Sequence, residues 1–284
     1  MRIALAIGRR GLGTTSPNPS VGAVIVDEAS GEVIARGWTQ PGGRPHAEKE
    51  ALRRAGDRAR GKTMYITLEP CAQTGRVPTC ADAMLSAGLT RVVCAMADPN
   101  PIIAGRGFAQ LRDAGVVVEV GCEAEAAHWL TLGHVLRQTK SRPFVQLKMA
   151  LDKTFAVAAG NGAPVWVTCP EARNYAHLLR KEADAILVGA GTMIADDPEL
   201  TCRLPGLAAT SPVRVIVSGK KAIPGTVKMV GSGPRTVVMT TKDARGAMMR
   251  GAHIEEIEVA PDAQGWPSTA GMLQALAARG ITRL

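Results

Sequence analysis

The chain has 284 residues, more than one compact core usually holds, so one large or two medium-sized domains are expected. Hydrophobic residues make up 46% of the chain and charged residues 21%, a balance that excludes a disordered protein. The formal net charge of +9 indicates an anionic partner: a small phosphorylated ligand, nucleic acid or a membrane surface. Aromatic residues make up only 3%, too few to line a groove for stacked bases, so we favour a phosphorylated small molecule.

The first segment, residues 1–7, is predicted to be a helix. It is apolar but short, and it runs into Arg9 and Arg10, whereas a signal peptide carries its charges first. No apolar stretch approaches the ~18 residues that are needed to span a membrane. We therefore expect a cytoplasmic protein with no membrane partner. A homo-oligomer without a nucleic-acid partner is also expected.

Strands alternate with helices along the rest of the chain, which predicts α/β layers with some parallel strand pairing. In the first half, strands are expected at residues 21–26, 33–37, 63–68, 91–96 and 116–120, and helices at 46–55, 79–87 and 108–114. A polar stretch at residues 140–143 predicts a boundary between domains at residues 1–141 and 142–284. In the second half, strands are expected at residues 144–149, 185–188, 213–217 and 236–240, and a helix at 171–182.

A set of candidate metal ligands lies in the first half. His46 is followed by Glu48, and Cys71 and Cys80 come later in the chain. One histidine and two cysteines supply three ligands, and a catalytic zinc keeps its fourth position for water. A carboxylate two residues after the histidine can reach that water and transfer its protons. Because His-x-Glu followed by Pro-Cys is the signature of zinc deaminases, the three ligands are predicted to bind Zn²⁺ and Glu48 to be catalytic.

The spacing of the two cysteines departs from that signature. Eight residues separate Cys71 from Cys80, where the signature has two. A loop of this length is compatible with one metal, because Cys80 can begin the next helix, whose N-terminus favours a thiolate. A structural zinc site would need a fourth protein ligand, and Cys94 is unsuitable because it lies within a predicted strand.

These motifs resemble the RibD family of riboflavin-biosynthesis enzymes, which are bifunctional deaminase-reductases. The resemblance is carried by residues 15–24, 45–48, 67–71, 75–80 and 98–101, and the wide cysteine spacing is itself a mark of that family. It implies a cytidine-deaminase-like three-layer α/β/α domain followed by a partial dihydrofolate-reductase-like α/β domain. It also implies hydrolytic deamination of 2,5-diamino-6-ribosylamino-4(3H)-pyrimidinone 5′-phosphate, with Asn18 contacting the ring and Arg76 facing the phosphate.

The second half resembles the reductase of that family, which uses NADPH to reduce the ribose of the deaminated product. The resemblance implies dinucleotide contacts at four positions: Ala150, Trp166, Thr192 and Asp196. It implies substrate contacts at Arg180, Leu200 and Arg203, and the two arginines suit a phosphate. Without the resemblance, these second-half residues could equally have structural roles. The glycine turn at residues 189–191, for example, does not fit the G-x-G-x-x-G fingerprint of dinucleotide-binding sites.

Three departures from the family pattern lead to the hypothesis that the deaminase is active and the reductase impaired. First, residues 150–153 lack the family's Ser-x-Asp-Gly sequence. Second, Ser218 and Gly219 stand where the family usually has an Asp-Ser-like pair. Third, the sequence stops at Leu284, before the family's Glu-Gly-Gly segment. Two alternatives remain: a deaminase of the cytidine or tRNA-adenosine type, and a non-catalytic zinc- and RNA-binding module. The first predicts a short Cys-x-x-Cys, and the second leaves Glu48 without a role.

Overall fold

Two α/β units make up the chain, Met1–Arg142 and Pro143–Leu284. The structure is a computed structural model that describes residues 1–72, 78–157, 167–219, 223–244 and 251–284. Within those residues, no helix is both long enough and apolar enough to cross a lipid bilayer. Two of the residues singled out from the sequence, Arg76 and Trp166, lie outside the described ranges.

In the described part of the first unit, five strands form a mixed sheet with the order β2-β1-β3-β4-β5. The strands are β1 (Gly22–Asp27), β2 (Glu32–Trp38), β3 (Thr63–Ile66), β4 (Arg91–Cys94) and β5 (Val117–Val120). β1 is antiparallel to β2 and β3, whereas β3, β4 and β5 are parallel to one another. The predicted parallel pairing is confirmed, and it brings the carboxyl ends of β3 and β4 to the same edge of the sheet.

Helices cover both faces of this sheet. They are α1 (Arg2–Gly8), α2 (Ala47–Ala55), α3 (Cys80–Ser86), α4 (Arg106–Asp113) and α5 (Ala124–Lys140). Side chains alternate along β1, so Ala23 and Ile25 enter the core formed with α2, α3 and α4, whereas Val24 packs against α1. Since α5 lies beside α1, the result is the expected three-layer α/β/α arrangement.

A helix approaches this sheet closely at Gly22, where α1 crosses β1. A Cβ atom at position 22 would lie 1.9 Å from the carbonyl oxygen of Ala4 and 2.8 Å from the backbone nitrogen of Gly8. Both neighbours are backbone atoms of α1, so the helix would have to move to admit a side chain. Position 22 therefore requires glycine, because any side chain would overlap the backbone of α1.

The second unit is built on a parallel sheet whose described strands have the order β6-β7-β8-β9. They are β6 (Ala185–Gly189), β7 (Val213–Val217), β8 (Thr236–Thr240) and β9 (Ile254–Glu258). The helices are α6 (Pro170–Lys181), α7 (Ala190–Asp196), α8 (Lys228–Gly231) and α9 (Thr269–Ala278). Ile216 lies in one apolar cluster with Met193 of α7, and Val215 lies in a second with Leu276 of α9, so both faces of the sheet are covered.

The strand predicted at residues 144–149 is wrong in extent, because the structure pairs only its beginning. Phe144 forms a parallel bridge with Arg283, and its N–H donates to the carbonyl oxygen of Thr282 at 2.8 Å. The Gln146 N–H donates to the Leu284 carbonyl at 2.8 Å, and the ladder ends there among the described residues. The pairing partner is far away in the chain, so the local apolar pattern of residues 144–149 does not define how many residues pair, and Leu147 is 81% exposed.

We predict that Gly22→Ala destabilises the first unit by about 2–3 kcal/mol, because the new methyl group overlaps the backbone of α1. The measurement is urea unfolding of the purified chain. Gly225→Ala is the matched control, since a Cβ atom at position 225 meets nothing within 4 Å. Equal unfolding midpoints for the two variants would contradict the close approach.

Candidate metal centre

Three potential metal ligands converge in the first unit. The ligand atoms of His46, Cys71 and Cys80 all lie within 4.8 Å of one another. His46 Nδ1 lies 3.2 Å from Cys80 Sγ and 3.7 Å from Cys71 Sγ. Donors bound to one tetrahedral zinc ion lie roughly 3.5 Å apart, so the nitrogen and the two sulfurs fit that metal in both chemistry and spacing.

His46 is held at the start of α2. It is the N-cap residue, with extended φ and ψ of −66° and 159°, and its carbonyl accepts the Glu50 N–H at 3.1 Å. The preceding loop is closed by the Gln40 N–H, which donates to the Pro45 carbonyl at 3.0 Å. The imidazole of the cap residue lies against both cysteines, and its Nδ1 makes each of these contacts.

Glu48 lies on the first turn of α2 and is only 3% exposed. Burial raises the pKa of its carboxyl above the usual range, and the nearby His46 opposes that shift. The carboxyl also hydrogen-bonds with Cys80. A buried carboxyl beside a candidate metal, with a raised pKa, suits a group that accepts and returns protons.

The pKa values of the two cysteine thiols are shifted in opposite directions. The hydrogen bond from Cys80 lowers the pKa of the Cys71 thiol to about 4, while the same bond and burial raise the pKa of Cys80. The backbone N–H of Cys80 also donates to Cys71 Sγ at 3.3 Å. His46 has a raised pKa because of its hydrogen bond with Cys71. The cluster therefore holds thiolate character at Cys71, and a divalent metal would displace the remaining protons.

Cys80 is fixed by a capping box at the start of α3. The Thr79 hydroxyl accepts the Asp82 N–H at 3.1 Å, and the Asp82 carboxylate accepts the Thr79 N–H at 2.8 Å. Gln110 of α4 donates to the other oxygen of Asp82 at 2.6 Å. Sequence analysis missed Asp82 and Gln110, although Thr-x-x-Asp before a helix is a recognisable cap signal.

Asn18 lies against the loop that leads to His46. Its side-chain amide donates to the Gly43 carbonyl at 3.1 Å, and a Cβ atom at position 43 would lie 2.2 Å from that amide nitrogen. The contact joins the turn at residues 15–18 to the loop that precedes His46. Asn18 thus supports the loop of His46, and a contact with the ring of a substrate remains a prediction.

A buried histidine faces the loop after β4. His134 of α5 lies with its Nε2 4.0 Å from Asp98 Oδ1, and neither ring nitrogen has a hydrogen-bond partner among the described residues. Burial, with a smaller contribution from Arg137, lowers the pKa of His134 to about 4. Burial also raises the pKa of Asp98. His134 gave no signal in the sequence, because a lone histidine on an apolar helix face resembles any core residue.

The residues implied to contact the dinucleotide occupy two places in the second unit. Thr192 and Asp196 are exposed on α7, which starts directly at the carboxyl end of β6. Ala150 is half-buried in the extended segment that follows Phe144. The structure does not describe Trp166, so it brings together only Thr192 and Asp196.

The residues implied to hold the reductase substrate meet around His177. Arg180 Nη1 donates to the Thr201 carbonyl at 2.7 Å and lies 3.3 Å from His177 Nδ1, and that same nitrogen accepts the Arg203 N–H at 3.3 Å. The Nε of Arg180 is buried and has no partner among the described residues. Leu200 has a positive φ of 55°, and its side chain is buried in the apolar cluster of α7.

Comparisons with known proteins match both units. The family described as the cytidine and deoxycytidylate deaminase zinc-binding region matches residues 1–96, and the RibD C-terminal domain matches residues 143–284. The chain is 41% identical over 242 residues to the riboflavin biosynthesis protein RibD of Aquifex aeolicus, covering 85% of this chain and 67% of that protein. For the RibD of Escherichia coli, identity is 39% over 257 residues, covering 86% of this chain and 70% of that protein.

Solved structures agree with these matches. The diaminohydroxyphosphoribosylaminopyrimidine deaminase/5-amino-6-(5-phosphoribosylamino)uracil reductase of Thermotoga maritima superimposes with a TM-score of 0.88 at 35% identity. That match covers all of this chain and 78% of the Thermotoga chain. RibD of Acinetobacter baumannii gives a TM-score of 0.84 at 34% identity, covering 99% of this chain and 77% of that one.

Fold and donor set define a zinc-dependent deaminase fused to a reductase. The chain belongs to the RibD family of riboflavin biosynthesis proteins. Membership favours the deaminase-reductase interpretation over a cytidine or tRNA-adenosine deaminase and over a non-catalytic module. It also implies a nicotinamide cofactor for the second unit.

We predict that His134 makes the metal-free protein lose stability in mild acid. Its folded pKa of about 4 lies below the usual 6.5, so the unfolded chain binds more protons between those values. Stability therefore falls as the pH falls from 6.5 toward 4, by up to about 3 kcal/mol. Urea unfolding at pH 7 and pH 5 should show a smaller loss for His134→Gln than for the unmodified chain.

The control for that prediction is His128→Gln, because His128 is an exposed histidine of the same helix. It should keep the pH dependence of the unmodified chain. An equal loss of stability in all three proteins would show that His134 does not contribute to it.

Proposed function

We propose that this chain catalyses the hydrolytic deamination of 2,5-diamino-6-ribosylamino-4(3H)-pyrimidinone 5′-phosphate in riboflavin biosynthesis, with residues 1–141 as the deaminase domain. The observation that carries the proposal is the convergence of His46, Cys71 and Cys80 beside the buried carboxyl of Glu48. Three protein donors leave the fourth position of a tetrahedral metal open, as a catalytic site requires.

In this mechanism His46, Cys71 and Cys80 would hold Zn²⁺, which when bound lowers the pKa of a coordinated water toward ~7. Glu48 takes a proton from the attacking water and delivers it to the ring nitrogen next to the reacting carbon. A C–O bond forms, the C–N bond to the exocyclic amino group breaks, and Glu48 transfers the second proton of the water to the departing amine. The products are a carbonyl on the ring and ammonia, so atoms and charge balance.

A small phosphorylated substrate agrees with the net charge of the chain and with the distribution of its basic residues. The net charge is +9, and the basic side chains are scattered through the sequence instead of forming a block. Asn18, beside the loop of His46, is our candidate for the contact with the pyrimidine ring. The low aromatic content supports the absence of a nucleic-acid partner.

Glu48→Gln tests the role of the carboxyl. The variant should keep its zinc, because Glu48 is not a ligand, and should lose ammonia release by roughly 100-fold or more, because the amide cannot transfer the protons. Zinc content and ammonia release are measured on the same sample. Glu50→Gln is the control, since Glu50 is a buried glutamate of the same helix that pairs with Arg53 and Arg54.

Two outcomes would contradict the mechanism. One is full ammonia release from Glu48→Gln. The other is a Cys71→Ser variant that has lost its zinc but releases ammonia at the normal rate, since the metal would then have no part in the reaction.

We also propose residues 142–284 as the reductase domain, with NADPH as the hydride donor. Thr192 and Asp196 at the carboxyl end of β6, together with Ala150 and Trp166, are the candidate dinucleotide contacts, since ligands of open α/β sheets bind at that edge. Arg180, Leu200 and Arg203 are the candidate substrate contacts. The buried, unpartnered Nε of Arg180 supports an anionic ligand there.

The reductase is expected to be weak, because residues 150–153 lack the Ser-x-Asp-Gly sequence and residues 218–219 are altered. Gly219 packs against Trp266, whose ring lies 2.2 Å from a Cβ atom built at that position, so this turn has no space for a larger residue. NADPH oxidation with the deaminated product, followed at 340 nm, should be slower than for the RibD of Escherichia coli. Equal rates would contradict an impaired reductase.

For location and assembly we propose a cytoplasmic homo-oligomer without a membrane partner. None of the six cysteines forms a disulfide bond, which supports a reducing compartment. Exposed apolar side chains at Leu147 and Phe155, each 81% exposed, support burial against another copy of the chain.

A further inference from the structure

Glu69 is a buried carboxylate that gathers three backbone N–H groups from a single loop. Its Oε2 accepts the N–H groups of Asp98 and Gly105, each at 3.0 Å, and its Oε1 accepts the Gly107 N–H at 3.0 Å. Glu69 is only 5% exposed. The three N–H groups lie in residues 98–107, which comprise the end of the connection after β4 and the first residues of α4, and we name this segment the β4–α4 loop.

Glu69 thereby caps α4 from outside the helix. Gly105 is the N-cap residue of α4 and has no side chain to accept the first free N–H groups of the helix. The carboxylate of Glu69 takes the place of that cap and also meets the positive end of the helix dipole. The position of the Glu69 carboxylate is therefore set by the N-terminus of α4.

The same loop is seated directly on the backbone next to the metal ligand. A Cβ atom at Gly107 would lie 2.2 Å from the Pro70 carbonyl oxygen and 3.3 Å from Glu69 Cγ. The Glu69 N–H donates to the Met96 carbonyl at 3.0 Å, which fixes the residue from the β4 side as well. Glu69 and Pro70 are thus held from two directions immediately before Cys71.

Cys71 is fixed from the other side by α3. Its carbonyl accepts the Ala81 N–H at 3.2 Å, and its Sγ accepts the Cys80 N–H at 3.3 Å. The thiolate of Cys71 therefore lies between two anchors, the N-terminus of α3 and the segment that Glu69 ties to α4. Loosening either anchor would let Sγ move relative to His46 and Cys80.

We propose that Glu69 is a positioning residue for the metal centre, which sets the place of Cys71 Sγ by binding the β4–α4 loop. The inference rests on the proposed function only in taking Cys71 as a zinc ligand. Residues that orient metal ligands typically change metal affinity by 10–100-fold when they are replaced. Glu69 does not touch the donor atoms, so its effect passes through the backbone of Pro70 and Cys71.

The test uses Co²⁺ as a spectroscopic probe of the full chain. Metal-free protein is titrated with Co²⁺, and the thiolate-to-cobalt charge-transfer band and the d–d bands report the sulfur geometry. In Glu69→Gln, an NH₂ group replaces one of the two carboxylate oxygens. Because NH₂ cannot accept a hydrogen bond, at least one of the three backbone N–H groups that Glu69 binds loses its partner. We expect Co²⁺ and Zn²⁺ affinity to fall by about tenfold or more, with altered bands and a lower kcat for ammonia release.

Two further variants complete the experiment. Glu69→Asp keeps both carboxylate oxygens but is one methylene shorter, so its bands and affinity should lie between those of the unmodified chain and Glu69→Gln. Glu50→Gln is the matched control, because Glu50 is 6% exposed and its partners are arginines of its own helix. It should lower the unfolding midpoint and leave the cobalt bands unchanged.

Unchanged cobalt bands and affinity in a folded Glu69→Gln variant would overturn the proposal and leave Glu69 with a role in stability alone. If that variant does not fold, Glu69→Asp decides, and native bands there overturn the proposal equally. Failure of the proposed function is seen separately, in the unmodified chain. That protein would then bind no Co²⁺ through thiolates or release no ammonia.

Discussion

The close approach of one imidazole nitrogen and two sulfurs is the constraint on which the first unit depends. His46, Cys71 and Cys80 come from three separate segments, yet their ligand atoms lie within 4.8 Å of one another. Each is placed by backbone structure: His46 caps α2, Cys80 begins α3, and Cys71 follows β3. The hydrogen bond between the two cysteines lowers the pKa of Cys71 and raises that of Cys80, so one sulfur has thiolate character beside a protonated neighbour.

The sheet topology explains why the surrounding groups also converge. β3 and β4 are parallel neighbours, so the segments after them, which carry Glu69 and Asp98, leave the same edge of the sheet. The N-termini of α2 and α3 reach that edge as well, and their partial positive charge favours thiolate and carboxylate groups. Burial works against the ionised form of Glu48, whose pKa is raised. The site thus combines a thiolate of lowered pKa with a carboxyl of raised pKa.

The sequence predicted the parts of the structure that depend on local pattern. The helix over residues 46–55 and the strands over 91–96 and 213–217 have strong periodicity, and each was found close to its predicted place. The strand over residues 144–149 failed because its pairing depends on residues 282–284, far away in the chain. The carboxylate of Asp184 holds that distant segment, accepting the N–H and hydroxyl of Thr282, each at 2.7 Å.

The residues of the candidate site also fall into two groups, those that local sequence pattern predicts and those that only the fold reveals. His46, Glu48, Cys71 and Cys80 are readable because the chemistry demands those residue types in that order. Glu69 and His134 are not, because their roles arise from backbone N–H groups and a buried face that only the folded chain brings together.

The capping box at Thr79 has a consequence for both sulfur ligands. Thr79 and Asp82 fix the start of α3, which carries Cys80, and the N–H groups of Cys80 and Ala81 also bind Cys71. Both sulfurs are therefore held by one helix start, and a disturbance of its cap would reach both of them. The metal chemistry of this unit thus depends on residues that supply no ligand atom.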